Sequence, residues 1–94
     1  MLEKDMQAQI MRWLRAQHGF FAWKAHSGGR YSEPGIPDIM CVAFGRVFAF
    51  EVKGEKGKAT PLQCETIRKL NAAGACAGVV RSLDDVKAMM GGLA

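Results

Sequence analysis

Two short apolar runs meet at a glycine, and that junction constrains the chain more than any other stretch. Asp38 to Phe44 and Val47 to Val52 are each too short and too apolar for a surface helix, and the first follows Pro37, so both are expected to be strands. Gly45-Arg46 between them is the residue pair preferred by a two-residue type II′ hairpin turn, whose first position needs positive φ. Such a turn sets a register in which Phe44 faces Val47, Val42 faces Ala49, Met40 faces Glu51 and Asp38 faces Lys53. Side chains alternate along a strand, so Asp38, Glu51 and Lys53 are expected on one face. Asp38 and Lys53 are then about 5 Å apart at Cβ, and Asp38 and Glu51 are diagonal at roughly 7 Å. Two carboxylates at that separation can converge on one divalent cation with an ammonium beside them.

The second strand is apolar on both faces before Glu51, with Val47 and Ala49 on one side and Phe48 and Phe50 on the other. It reads as a central strand covered on both sides. A carboxylate entering such surroundings is expensive unless it is paired or bound to a cation.

At 94 residues the chain is expected to be one small domain, residues 1–94, burying about 60–65% of its unfolded surface, so association with a second copy would help it. Its 49% hydrophobic and 23% charged residues are those of an ordinary globular protein. No apolar run approaches the roughly 20 residues of a membrane span. Glu3, Lys4 and Asp5 argue against a secretory leader, and no membrane partner is expected. Cys41, Cys64 and Cys76 are odd in number and lack C-x-x-C spacing. They read as buried thiols in a reducing, cytoplasmic setting rather than as a disulfide frame or zinc site. The net charge of +4 favours a polyanionic partner, and Lys53, Lys56 and Lys58 cluster where phosphates would lie beside the carboxylates.

Residues 2–17 form an amphipathic pattern with Met6, Ile10, Trp13, Leu14 and Gln17 at helical spacing. Glu3 and Gln7 precede Ile10 on nearly the same stripe. Glu3 either complements the helix dipole or points toward the carboxylates. After Gly19, residues 20–26 read as an aromatic-rich strand, and 27–35 as a loop too rich in Gly, Ser and Pro for regular structure. His26 and Arg30, with Tyr31 and the amides of Gly28 and Gly29, are candidate contacts to a nucleic-acid backbone, as are Lys56 and Lys58.

Thr60, Pro61 and Gln63 carry the signals of a helix start: Thr at N-cap, Pro at N1 and Gln at N3 of a capping box. Leu62, Ile67 and Leu70 supply its apolar stripe, and Gly74 stops it. Residues 75–80 read as a strand buried on both faces. Ser82-x-x-Asp85 starts a last helix carried by Val86, Met89 and Met90 and ended at Gly91-Gly92. The order is α-β-β-β-α-β followed by a C-terminal helix, a small mixed sheet flanked by helices.

With Pro37-Asp38 opening the second strand and Glu51-Val52-Lys53 ending the third, this order resembles the PD-(D/E)XK nuclease superfamily and its restriction-endonuclease-like αβββαβ core. More narrowly, the chain is similar to stand-alone, phage-type VRR-NUC domains. That likeness runs from Glu3 to about Met90. It includes Glu3 with Gln7, Gly35 to Asp38, Phe50 to Lys53, Thr60 to Gln63, and the tail from Gly74 through Val79, Val80, Arg81 and Ser82 to Asp85 and Val86.

The resemblance implies that Asp38, Glu51 and the backbone carbonyl of Val52 bind Mg²⁺ or Mn²⁺, with no small-molecule cofactor. It implies that Lys53 positions or helps deprotonate the attacking water or stabilises the transition state. Glu3 would complete the outer side of the site, and Gln63 would line it in competition with its capping role, the balance leaning to the site. The implied activity is endonucleolytic hydrolysis of DNA in replication, recombination or repair. A further similarity to archaeal Holliday-junction resolvases implies a homodimer acting on branched DNA such as four-way junctions. The competing readings are a non-catalytic nucleic-acid-binding or assembly module with this fold, and a nuclease of another DNA specificity.

Overall fold

The computed structural model describes residues 1–25 and 33–93. The elements are α1 (Glu3–Ala16), β1 (Phe20–Lys24), β2 (Ile39–Ala43), β3 (Arg46–Val52), α2 (Pro61–Ala72), β4 (Cys76–Val80) and α3 (Leu83–Met90). They form one four-stranded sheet in the order β1-β2-β3-β4. The first two pairings are antiparallel and β3–β4 is parallel, with α2 as the crossover a parallel pair requires. The expected mixed α/β architecture is therefore present.

Alternation along the strands divides the sheet into two unlike faces. Ala22, Ile39, Cys41, Phe48, Phe50, Val52 and Val80 point to one face and form the core with Met6, Ile10 and Leu14 of α1 and Val86 and Met90 of α3. The other face carries Phe21, Trp23, Met40, Val42, Val47, Ala49 and Glu51, and α2 packs at its β4 side. No side chain of α2 is fully buried and Leu62 is half exposed, so the stripe read from the sequence covers the sheet only loosely. Strand β4 lies at an edge with Val80 alone fully buried, not enclosed on both faces as its composition suggested. Asn71 seals part of that edge: its amide donates to the Ala77 carbonyl at 2.9 Å and accepts from the Ala77 N–H at 2.8 Å. Strand β1 stops at Lys24, shorter than expected.

The hairpin differs from expectation in an instructive way. Ala43 pairs with Arg46, so the two turn residues are Phe44 and Gly45, at φ 51° and 79°. Positive φ at both positions makes this a type I′ turn, whose twist matches the flanking strands. A phenylalanine in the left-handed region costs about 1–2 kcal/mol. The Phe44 ring offsets this by packing edge-on to Phe20 at 6.0 Å and over Gly19. A Cβ on Gly19 would lie 2.9 Å from that ring, so glycine is required there for contact as well as for its φ of 83°. Arg46, displaced from the turn, joins the strand and lays its guanidinium 5.2 Å from the Phe48 centroid.

Helix ends follow the sequence signals. Thr60 and Gln63 form a reciprocal capping box, Ser82 accepts from the Asp85 N–H, and Gly91 closes α3 in the left-handed conformation. The cysteines are free. Cys41 is buried and Cys76 half-buried, but Cys64 is exposed on α2, contrary to its expected burial. Among the described residues no helix is long and apolar enough to cross a membrane.

Candidate active site

Moving the hairpin turn by one residue shifts every cross-strand partner by two positions. Faces are therefore preserved, and the carboxylates come closer than expected. Ile39 pairs with Phe50, and one step further along the ladder Asp38 lies opposite Glu51, where the expected register had placed Lys53. Directly opposed residues have Cβ atoms about 5 Å apart.

Asp38 is held from two sides. Its carbonyl accepts from the Ala25 N–H at 3.0 Å, continuing the β1–β2 ladder. Its Oδ2 accepts from the Val52 N–H at 2.8 Å, taking the bond that β2 would supply had it run on as a strand. The approach to Asp38 is fixed by Gly35 and Pro37. Gly35 has φ 81°, and a Cβ there would come within 2.8 Å of Leu62 and Thr66 on α2, while Pro37 is fully buried. This close passage over α2 aims the following residue at β3.

Glu51 is 1% exposed, the one buried charged residue among those described. Burial pushes its pKa up to about 8, helped by a side-chain hydrogen bond to Asp38 and by the Asp38 charge; Lys53 opposes the shift and Glu3 adds slightly to it. Two carboxyls in contact, one nearly sealed from water, form a pair that cannot comfortably carry both charges. A hard divalent cation resolves that conflict and suits an all-oxygen donor set. Asp38, Glu51 and the Val52 carbonyl fit such an ion as a set of few protein ligands that leaves most positions to water and phosphate. Among the described residues no group of three or more His, Cys, Asp or Glu side chains surrounds one point.

Glu3 reaches the segment after β3 from the first turn of α1. Its Oε1 accepts from the Gly54 N–H at 3.1 Å and would lie 3.1 Å from a Cβ on Gly57. It thus braces the residues following Lys53 rather than adding a third carboxylate at the pair. Lys53 is half-buried, and its N–H donates to the Val80 carbonyl, which anchors it in the parallel ladder. Lys56 and Lys58 are exposed on the loop beyond. Gln63, expected to lean to the site, has its Oε1 on the Thr60 N–H at 2.9 Å in the capping box, leaving only its NH₂ free of the cap. His26 and Arg30, with Tyr31, lie outside the described residues.

Arg81, which no local sequence pattern marks as a site residue, also meets this segment. Its Nη1 donates to the Gly54 carbonyl at 2.6 Å while its own N–H is held by Asp85 Oδ2. Gly54 is therefore gripped on one side by Glu3 and on the other by Arg81. The signal was present in the sequence, a lone cation directly after an apolar edge strand, but nothing local connected it to residue 54.

Known structures share this architecture. One, described as a VRR-NUC domain protein, superposes with a TM-score of 0.70 at 23% identity over 96% of this chain and 85% of its own. Another, described as a VRR-NUC domain, gives 0.73 at 28% identity over 94% and 92%. No protein-family model matches the sequence, and no curated protein matches it.

Proposed function

Starting from a chain with the VRR-NUC fold, we propose that it is a metal-dependent DNA endonuclease that hydrolyses phosphodiester bonds. The observation that carries this reading is the Asp38–Glu51 pair: Glu51 is buried near the end of β3 against the half-buried Asp38 that precedes β2, with Lys53 two residues on from Glu51. A structural role alone leaves the placement of two carboxyl groups against each other without a purpose.

Asp38, Glu51 and the Val52 carbonyl would hold Mg²⁺ or Mn²⁺. When bound, the ion polarises the phosphate, lowers the pKa of a water and offsets charge on the leaving oxygen. The chain's own groups do the rest. The Val52 N–H fixes the rotamer of Asp38, so the carboxylate meets its target without reorganising. Lys53 supplies a compact cation able to orient the attacking water and to attract the scissile phosphate. Glu3 and Arg81 clamp Gly54 and so hold the backbone that presents Lys53. Lys56 and Lys58 attract flanking phosphates, and the Gln63 amide group lies at the start of α2, whose first turn packs against Gly35 on the way to Asp38. The products are 5′-phosphate and 3′-hydroxyl ends.

The favoured substrate is branched DNA, four-way junctions included, cut by a homodimer whose paired sites nick opposed strands. The test is incubation with Mg²⁺ or Mn²⁺ and a panel of duplex, single-stranded, flap and four-way-junction DNA, alongside Asp38→Ala, Glu51→Ala and Lys53→Ala. Cutting by the parent and none by the variants, each still folded and DNA-binding, is the expected result. Equal cutting by all four proteins rejects the site. Binding without cutting by the parent favours a non-catalytic module. Light scattering that shows only monomer at micromolar concentration removes the dimer.

A further inference from the structure

The sheet face that carries the carboxylates also carries an exposed aromatic pair. Phe21 and Trp23 lie two residues apart on edge strand β1, 69% and 37% exposed, with ring centroids 5.6 Å apart. Trp23 stands opposite Met40, and Ala25, two residues on, stands at Asp38. Trp23 is therefore the diagonal neighbour of Asp38 on the same face, at roughly 7–8 Å between Cα positions. A phosphate held at the carboxylates would bring an adjoining nucleotide over the indole.

The surroundings say what covers these rings. Behind the same strand, Lys24 joins Arg12 and Arg15 of α1 around a shallow groove floored by Met11 and Ala16. Strand β1 thus presents aromatic faces on one side, while Lys24 together with Arg12 and Arg15 of α1 places three cations behind it. This combination of stacking surface and basic track serves single-stranded nucleic acid. A second copy of the chain fits less well. Phe21, Trp23 and the partly exposed Val47 offer only about 300 Å² of apolar surface, taking roughly 150–250 Å² per large side chain. A stable interface needs about 800 Å² from each partner, of which about 65% is apolar in homodimers, or roughly 520 Å².

Resting on the nuclease reading above, we propose that Trp23, extended by Phe21, is a stacking platform for an unpaired base beside the scissile phosphate. The site then prefers DNA whose bases are free to leave the stack, at junction centres, flaps and single strands, over continuous duplex. Specificity for branched substrates would reside in part within a single protomer.

The experiment uses the whole chain in EDTA, so that binding is read without cleavage. The probes are a single-stranded oligonucleotide carrying 2-aminopurine and a blunt duplex of the same sequence. With the parent protein and Trp23→Phe, the 2-aminopurine emission is quenched on binding. With Trp23→Ala the quench is lost and the single-strand Kd rises about 10-fold, while duplex affinity is unchanged. Phe21→Ala gives a smaller loss of the same kind. Circular dichroism and Tm confirm that each variant is folded, and Trp23→Phe retains a stacking ring should Trp23→Ala fail that check. Equal quench and equal Kd for parent and Trp23→Ala overturn the proposal. So does light scattering that shows a dimer for the parent and a monomer for Trp23→Ala, which would assign the rings to a second copy. Trp23-dependent quenching by a protein that cuts nothing in Mg²⁺ or Mn²⁺ upholds the platform and removes the nuclease. Mg²⁺-dependent cutting that Trp23→Ala leaves unaltered on every substrate removes the platform alone.

Discussion

Glu51 and Glu65 are the same residue in opposite situations. Glu65 lies on the solvent side of α2 and forms an i, i+3 ion pair with Arg68 at 2.6 Å, which holds its carboxyl below the usual range. Glu51 is buried at the end of β3 against a second carboxyl and is driven up to about 8. The first arrangement is self-sufficient: a charge, its counter-charge and water. The second is incomplete: Lys53 only partly opposes the shift that burial and Asp38 impose. A carboxylate placed where the fold must protonate it marks a site shaped for something other than stability.

The largest consequence of this difference is in cleavage. Lys53→Ala should lower the rate by about 10²–10³-fold, and Asp38→Ala or Glu51→Ala by at least as much, measured as single-turnover cutting of a junction in Mg²⁺. Glu65→Ala should leave the same rate unchanged. Equal effects at Glu51 and Glu65 would dissolve the contrast.

Next in size is pH dependence without metal. A carboxyl whose folded pKa exceeds its ordinary 4.5 favours the fold while protonated. Its contribution is complete below about pH 4.5 and is lost as pH rises through about 8. The loss is on the order of 2–4 kcal/mol, the lower end allowing for partial solvent screening at the mouth of the site. In EDTA, Tm should fall by roughly 10 °C or more between those limits. Glu51→Gln should flatten that fall. Mg²⁺ should raise Tm more at pH 8 than at pH 5, and its binding at pH 7 should release protons. A Tm that is flat with pH in the parent would mean the pair is not strained as described.

The sequence revealed the faces of the site but not its register, and the reason is physical. Period-two alternation places Asp38, Glu51 and Lys53 on one side whichever of two adjacent turns forms, because each places the same parity across the hairpin. Choosing between Gly45-Arg46 and Phe44-Gly45 depends on the Phe44 ring meeting Phe20 and Gly19, a contact invisible to local pattern. Helix starts were legible because capping chemistry is local: Thr60 with Gln63, Ser82 with Asp85. The Glu3–Gly54–Arg81 clamp was not, since it joins residues 51 and 27 positions apart. Strand β4 misled for a related reason. An all-small apolar run looks doubly buried, yet Asn71 lets it serve as a sealed edge.

Gly35 sharpens the comparison from outside the pair, since it acts on Asp38 only through the chain path. Gly35→Ala forces a Cβ into the left-handed region within 2.8 Å of α2, at a cost of about 2 kcal/mol. Tm should drop by roughly 8–16 °C and cutting should weaken, as Pro37-Asp38 is pushed off β3. A Tm loss with full activity would show that the Asp38 to Val52 bond alone positions the carboxylate.

The smallest effect belongs to Glu65→Ala. Its salt bridge with Arg68 stands in water, where the Coulomb gain is screened and two long side chains must be ordered to keep it. Thermal melts of Glu65→Ala and Arg68→Ala at low and high salt should coincide with the parent at both. A salt-sensitive drop in Tm for either variant would show that the α2 pair does structural work. The two glutamates would then differ in degree of burial, and the argument that Glu51 is the group placed against stability would have to rest on cleavage alone.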